Sequence, residues 1–171
     1  MGLNLISLPL KDTGLNNASQ LLGDICSGNA DAIWKYDCNS GSFESFTIFD
    51  PGNGFDIPAG TPIWVNIPSL SLGCYWIIDG KIPGSIQYQL CSGLNMISIP
   101  VYSLSLLKAS DLLESVPACN GVYRWTKEID CFKDGTFDLY SLLSSPDEDF
   151  SLIPGRTYWV MISAPGLWIA N

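Results

Sequence analysis

The sequence contains no histidine, the side chain that most often serves as a general base and as a zinc ligand. Ser-His-Asp and Cys-His catalytic arrangements are therefore excluded. The usual zinc spacings are absent as well, because there is no C-x-x-C pair. Two carboxylates could still hydrolyse a glycosidic bond, but no pair stands out among the 17 acidic residues. We do not expect the protein to be an enzyme.

Basic residues are also scarce, with 8 lysines and arginines and a net charge of −9. An acidic surface repels nucleic acid and gains nothing from an anionic membrane. No apolar run approaches the roughly 18 residues of a spanning helix, so membrane insertion is not expected either. The first residues, MGLNLISLPL, lack the basic region of a signal peptide. We therefore expect that a signal was removed or that the chain is a piece of a longer protein.

What the sequence does contain is one pattern written twice. GLNLISLP at 2–9 returns as GLNMISIP at 93–100, which is 91 residues later. Further matches follow in the same order: IWKY with VYRW, GSF with GTF, PIWVNI with TYWVMI, and Trp76-Ile77 with Trp168-Ile169. Matching order over so many stretches indicates a tandem duplication. We assign residues 2–92 to repeat 1 and residues 93–171 to repeat 2.

Each repeat is predicted to be mainly β with one short helix. Short apolar runs rich in branched residues and separated by Pro and Gly are typical of strands. Asn17, which is also the only N-x-S/T acceptor, precedes a helix predicted over 18–24, and Gln20 has the spacing of a capping box. The counterpart in repeat 2 spans 109–115. The fold class that we expect is two tandem, similar β-sandwich or barrel-like repeats.

The six cysteines, in the absence of a metal or redox motif, indicate three disulfides and an oxidising, extracellular setting. Free buried cysteines are the alternative. Cys26 and Cys38 are twelve residues apart, and so are Cys119 and Cys131, at matching places in the two repeats. Each bond would add about 2–4 kcal/mol by restricting the unfolded chain. The predicted pairs are Cys26–Cys38, Cys119–Cys131 and Cys74–Cys91.

Cys74 and Cys91 bracket YWIIDGKIPGSIQYQL, which is predicted to form a hairpin that turns at residues 81–84. Repeat 2 stops at Asn171 before any matching return strand, and repeat 1 has no strand ahead of GLNLIS. The pattern is therefore expected to lack one strand, which leaves an unpaired sheet edge. Neighbouring repeats or another subunit would fill that edge by strand addition, unless it is simply short and solvated.

Tryptophans recur on one face of a predicted strand. In PIWVNI, Ile63 and Val65 share one face while Trp64 and Asn66 share the other. Trp159 takes the matching place in repeat 2. These tryptophans are candidates for stacking on sugar rings, with Asn66 as a hydrogen-bonding neighbour. The alternative is that both pack under the helix or between the repeats, as buried tryptophans commonly do.

Calcium is the ion that the sequence favours, because only oxygen ligands are abundant. None of the acidic stretches follows the EF-hand spacing, and solvated loops that keep the protein soluble are the alternative interpretation. No other cofactor is expected. The candidate ligands, all on predicted loops, are Asp50, Asn53, Asp56, Asp147 and Asp149.

The succession of GLNLISLPL, a short helix, IWKYD and IPAGTPIWVNI resembles a repeat of secreted and cell-surface proteins of archaea and some bacteria. That repeat reads G-W-N-L-I-S-[IL]-P and later P-G-x-x-Y-W-V; Leu3 and Leu94 stand where it has Trp, and six cysteines are unusual for it. The resemblance implies a cell-envelope location, as in S-layers and sheaths, and no catalytic residues. We expect a self-assembling structural module, a subunit of a layer, sheath or filament or a segment of a multi-repeat surface protein. A carbohydrate-binding or adhesion module is the alternative.

Overall fold

A computed structural model describes residues 2–68, 76–126 and 135–170. The protein is mainly β, and its two short helices have the predicted bounds: α1, Ala18–Asp24, and α2, Ala109–Ser115. The ten strands are β1 Gly2–Ser7, β2 Ala32–Asp37, β3 Ser42–Thr47, β4 Pro62–Ile67, β5 Ile86–Leu90, β6 Gly93–Ser98, β7 Cys119–Thr126, β8 Thr136–Ser141, β9 Thr157–Ile162 and β10 Gly166–Ala170.

The duplication is visible in the sheets. Repeat 1 forms an antiparallel sheet in the order β1-β4-β2-β3, and repeat 2 forms one in the matching order β6-β9-β7-β8. β5 and β10 make a separate two-stranded antiparallel sheet. The prediction of two similar β-rich repeats, each with one short helix, is confirmed. The sheets are open, so the barrel-like alternative does not apply to the described residues.

One face of each four-stranded sheet packs on its own helix. In repeat 1, Ile63 and Val65 of β4 are fully buried against Leu21 of α1, and Val160 and Leu112 do the same in repeat 2. Burying one such side chain stabilises the fold by about 1.5–3 kcal/mol. The Asn17 side chain accepts a hydrogen bond from the Gln20 amide at 3.0 Å, as the N-cap prediction requires.

The other faces of the two sheets meet each other through aromatic side chains. The Trp64 ring lies 5.0 Å from the ring of Trp125, and the Trp159 ring lies 4.9 Å from that of Tyr36, which is the repeat-1 counterpart of Trp125. Ser7 Oγ donates to Gly155 O at 2.6 Å, and reciprocally Ser98 Oγ donates to Gly60 O at 3.1 Å. The same residues therefore face their counterparts across an internal pseudo-two-fold axis, as in a symmetric dimer. This self-complementary contact is the physical use of a pattern written twice.

The predicted hairpin over 74–91 is wrong. β5 pairs with β10 of repeat 2, with Tyr88 opposite Trp168, whereas residues 76–80 belong to no strand and residues 74 and 75 lie outside the described part. By pairing, β5 belongs with repeat 2, so repeat 2 does not lack a strand. The turn sequence at 81–84 was a misleading local signal, because Lys81 instead pairs with Lys11 in an isolated bridge.

The predicted disulfide pairs are also wrong. Cys38 is bonded to Cys91, and Cys119 is a free, buried thiol. Cys26 is disulfide-bonded too, while Cys74 and Cys131 lie outside the described residues. The matching spacing of twelve residues was misleading because strand β2 lies between Cys26 and Cys38. Six extended residues separate the ends of a strand by about 20 Å, whereas a disulfide needs Cα atoms within about 7 Å. β7 likewise begins at Cys119 and carries the chain away from it.

Candidate interaction surfaces

The proposed sugar platform is not an open surface. Trp64 and Trp159 are each only 8% exposed, because each is covered by aromatic rings of the other repeat. The Asn66 amide donates to Asp31 Oδ1 at 2.8 Å and so has a partner within its own repeat. The structure thus places both tryptophans between the repeats, which was the packing alternative.

An apolar cleft nevertheless opens along the seam between the repeats. It encloses about 500 Å³, and the most exposed of its lining residues are Phe43 and Phe137, both at 47%, and Leu3 at 44%. A second cleft of about 340 Å³ adjoins it on the repeat-2 side and shares Phe137 and Trp159. The lining of the first is Leu3, Trp34, Phe43, Trp64, Phe137 and Trp159. We call these two spaces the seam clefts.

The seam clefts contain one unused donor. The indole Nε1 of Trp159 is buried and has no hydrogen-bond partner among the described residues. A buried N–H without an acceptor costs on the order of 1–3 kcal/mol. An acceptor that reaches this group beside the Trp159 ring, which lines both clefts, would therefore gain more than one that meets a donor already paired.

The predicted calcium ligands of repeat 1 serve the fold. Asp50 Oδ2 accepts hydrogen bonds from both the backbone N and the Oγ1 of Thr47, each at 2.8 Å. The backbone O of Asn53 accepts from the Ser19 amide at 3.0 Å, and Asp56 pairs with Asn17 in an isolated bridge. All three residues are otherwise exposed to solvent.

Of the two repeat-2 candidates, Asp149 lies at the start of α2. Asp149 accepts from the Ser110 amide at 2.9 Å and from its hydroxyl at 2.8 Å, so its carboxylate caps the helix. A hydrogen bond from the Ser145 side chain holds the pKa of Asp147 below its usual value. Within the described ranges no three Asp, Glu or Cys side chains come together as a metal site.

A larger groove lies beside β1 in repeat 1, where the sequence predicted an unpaired sheet edge but not a cavity. It encloses about 650 Å³ between the edge of β1, residues 76–78 and the turn before β9. Its lining is Asn4, Leu5, Ile6, Ser7, Pro9, Trp76, Ile78, Val101, Trp125, Thr126, Pro154, Gly155 and Arg156. We call it the repeat-1 groove. The Nε1 of Trp125 is buried without a hydrogen-bond partner among the described residues.

In repeat 2 the matching place is occupied by β5. Tyr88 of β5 donates to Gly60 O at 2.8 Å and lies 2.7 Å from Ser98 Oγ, and burial raises the pKa of its phenol to about 12. Only about 220 Å³ remains open there, lined partly by Ile86 and Leu90. The signal in the sequence for this cover was the alternation of Ile86, Tyr88 and Leu90 directly before β6.

Comparisons of this chain with protein-family models, curated proteins and solved structures find no match. None of the described helices is long and apolar enough to cross a membrane. Assignment of function therefore depends on the clefts and the groove themselves.

Proposed function

We propose that this chain is a non-enzymatic extracellular structural module that assembles with copies of itself, as a subunit of a cell-surface layer, sheath or filament or as a segment of a multi-repeat surface protein. The observation that carries the proposal is the pair of seam clefts. Phe43 and Phe137 stand half-exposed at equivalent positions of the two repeats, on either side of the pseudo-two-fold axis. A surface with this internal symmetry suits an ordered, repeating contact.

Exposed apolar side chains cluster around the seam clefts. Leu3 and Leu94, again equivalent, are 44% and 40% exposed beside the two phenylalanines. Apolar residues that cluster in this way, unlike singly scattered ones, favour a site of protein interaction. A stable interface needs roughly 800 Å² from each partner, so neighbouring strand edges would have to contribute as well. β3 and β8, each paired on one side only among the described strands, flank the clefts and offer those edges.

The disulfide supports the extracellular part of the proposal. The Cys38–Cys91 bond forms and persists in an oxidising compartment. A net charge of −9 keeps such a module away from nucleic acid and anionic lipid. The archaeal and bacterial envelope setting comes from the resemblance of the repeat pattern.

The proposal is tested by light scattering and electron microscopy of the non-reduced protein over a dilution series. We expect concentration-dependent particles that are lost when Phe43→Ser and Phe137→Ser are combined. Phe49→Ser is the matched control, because Phe49 is 88% exposed but lines neither cleft. A wild-type protein that remains monomeric at the highest concentration, or assembly that survives the double substitution, would contradict the proposal.

A carbohydrate-binding or adhesion module remains the second candidate, and the unpaired Trp159 Nε1 is the observation that favours it. Sugar rings stack on aromatic faces, and a sugar hydroxyl would accept from this indole. The seam clefts offer Trp34 and Phe43 as partly exposed rings. Tryptophan fluorescence should then shift with a glycan from a panel, and the shift should vanish in Trp34→Ala. An unchanged spectrum across the panel rejects this candidate.

A further inference from the structure

The repeat-1 groove is the empty counterpart of the place that β5 fills in repeat 2. From this we infer that it is an acceptor site for one extended peptide strand that carries a tyrosine flanked two residues away on each side by aliphatic side chains. The inference goes beyond self-assembly, because neither the site nor the partner is shared with the seam clefts. Strand addition of this kind combines main-chain hydrogen bonds with pockets for alternate side chains.

The burial of the first strand differs between the repeats. In β6, which β5 covers, Asn95, Met96 and Ile97 are all buried. In β1 the three equivalent residues, at positions 4–6, are all partly exposed. The sequences of the two strands are nearly the same, so the difference comes from the missing cover. Repeat 1 thus leaves part of its core open where repeat 2 closes it.

The asparagine of this strand shows what kind of cover is missing. Asn95 donates to Cys91 O at 2.8 Å and accepts from Cys91 N at 2.8 Å, which fixes the backbone at the end of β5. Its counterpart Asn4 keeps only the local bond, to Gly2 O at 2.8 Å, among the described residues. The Asn4 amide is therefore free to hold one residue of an incoming strand by both its backbone N–H and its C=O.

The tryptophan at the far side of the groove is already in position. Trp76 Nε1 donates to Asp24 Oδ2 at 2.8 Å, as Trp168 Nε1 donates to Ser115 Oγ at 3.1 Å in repeat 2. Trp168 is only 3% exposed, and the Tyr88 ring stacks on it at 5.5 Å. Trp76 remains partly exposed. We therefore expect a tyrosine ring of the incoming strand to stack on the exposed part of Trp76, as Tyr88 stacks on Trp168.

The polar end of the groove matches a tyrosine hydroxyl. In repeat 2 the Tyr88 hydroxyl reaches Gly60 O and also accepts from the Ser98 amide at 3.0 Å. The repeat-1 equivalents, Gly155 O and Ser7, lie at the matching place and line the groove. The buried, unpaired Nε1 of Trp125 adds a donor that a strand carbonyl would satisfy. These groups select tyrosine over phenylalanine.

β5 of a second copy does not supply the strand. That segment, Ile86–Leu90, is already paired with β10 and held by the Cys38–Cys91 disulfide. Its donation to a neighbour would open its own repeat 2, so no net gain results. The ligand that we propose is therefore a separate strand with the same side-chain pattern.

The test uses the intact, oxidised protein and a fluorescent peptide, GSIQYQLSS, which is the sequence from Gly84 to Ser92 with serine in place of Cys91. We expect one-to-one binding with a Kd below about 1 mM, together with slower hydrogen exchange in β1 and residues 76–80. A peptide with alanine in place of tyrosine should bind at least about tenfold more weakly. The Asn4→Ala and Trp76→Ala proteins should bind the unchanged peptide more weakly than wild type by the same factor. Ile77→Ala is the control, because Ile77 is 81% exposed and does not line the groove.

Several results would overturn the inference. Equal binding of a scrambled peptide, or no binding of GSIQYQLSS, would mean that the groove takes no strand. Loss of binding in Asn95→Ala but not in Asn4→Ala would mean that the peptide displaces β5 in repeat 2. The combined Phe43→Ser and Phe137→Ser protein should still bind the peptide, so failure of self-assembly and failure of the groove are separate outcomes.

Discussion

Removal of the Cys38–Cys91 disulfide should destabilise the protein by about 4 kcal/mol. The bond closes a loop with a sequence separation of 53, and the chain-entropy relation for a loop of that length gives about 14 cal/mol/K, or about 4 kcal/mol at 25 °C. The bond also holds β5, which pairs with repeat 2, to the end of β2 in repeat 1. Its loss therefore raises the conformational entropy of the unfolded chain and also removes a covalent link between the repeats.

The measurement is urea unfolding of a Cys38→Ser, Cys91→Ser protein against wild type. With an m-value of about 2 kcal/mol/M, the midpoint should fall by about 2 M. The control is Cys119→Ala, which removes a free, buried thiol and closes no loop, so a loss of only about 1 kcal/mol is expected. A loss below about 1 kcal/mol in the double variant, or non-reducing peptide maps that link Cys26 to Cys38, would refute the reasoning.

Two further perturbations report on how β5 is held. Gly60 has φ of +87°, and a Cβ there would meet Ile86 and lie 3.1 Å from the Tyr88 hydroxyl, so Gly60→Ala should cost about 2–4 kcal/mol in chemical denaturation. Gly155→Ala, at φ of +77° with the new Cβ 3.2 Å from Val101 and 3.8 Å from Pro9, should cost about 1 kcal/mol; equal losses would contradict the assigned geometry. Burial raises the pKa of Tyr88 to about 12, above its value near 10 in the unfolded chain. The stability that Tyr88 contributes should therefore be complete below pH 10 and fall by roughly 3 kcal/mol as the pH rises through about 12. If the free energy of unfolding of a Tyr88→Phe protein falls just as steeply over this pH range, Tyr88 is not the cause.

Much of the local structure follows from the sequence because its causes are local. Asn17 can satisfy the Gln20 amide only at a helix start, and the branched residues around Trp64 alternate as a strand requires. The duplication then transfers each assignment to the other repeat. Both helices and the face that carries Trp64 were predicted correctly for these reasons.

The misassignments all concern contacts between distant segments. The stretch from Lys81 to Gly84 has the composition of a turn, but no local feature decides whether β5 pairs with residues 76–80 or with β10. The β10 partner is distant in sequence, since Gln89 and Gly166 are 77 residues apart. Cys91 follows β5, so an error in the strand partner became an error in the disulfide partner. The sequence placed Trp64 on the strand face opposite Ile63 and Val65, but it left open whether that face meets sugar rings, the helix or the other repeat.

The two repeats also explain each other's composition. A single four-stranded sheet with one helix would expose Trp64 and its neighbours to water, and the second sheet removes that exposure by presenting the same residues in return. Two repeats are enough to complete the symmetric contact, because Ser7 and Ser98 each donate to a glycine carbonyl of the other repeat. The cover provided by β5 is different, because it is asymmetric and one strand serves one repeat. Among the described residues, duplication therefore completes the aromatic layer, whereas β1 remains a sheet edge without the cover that β5 gives β6.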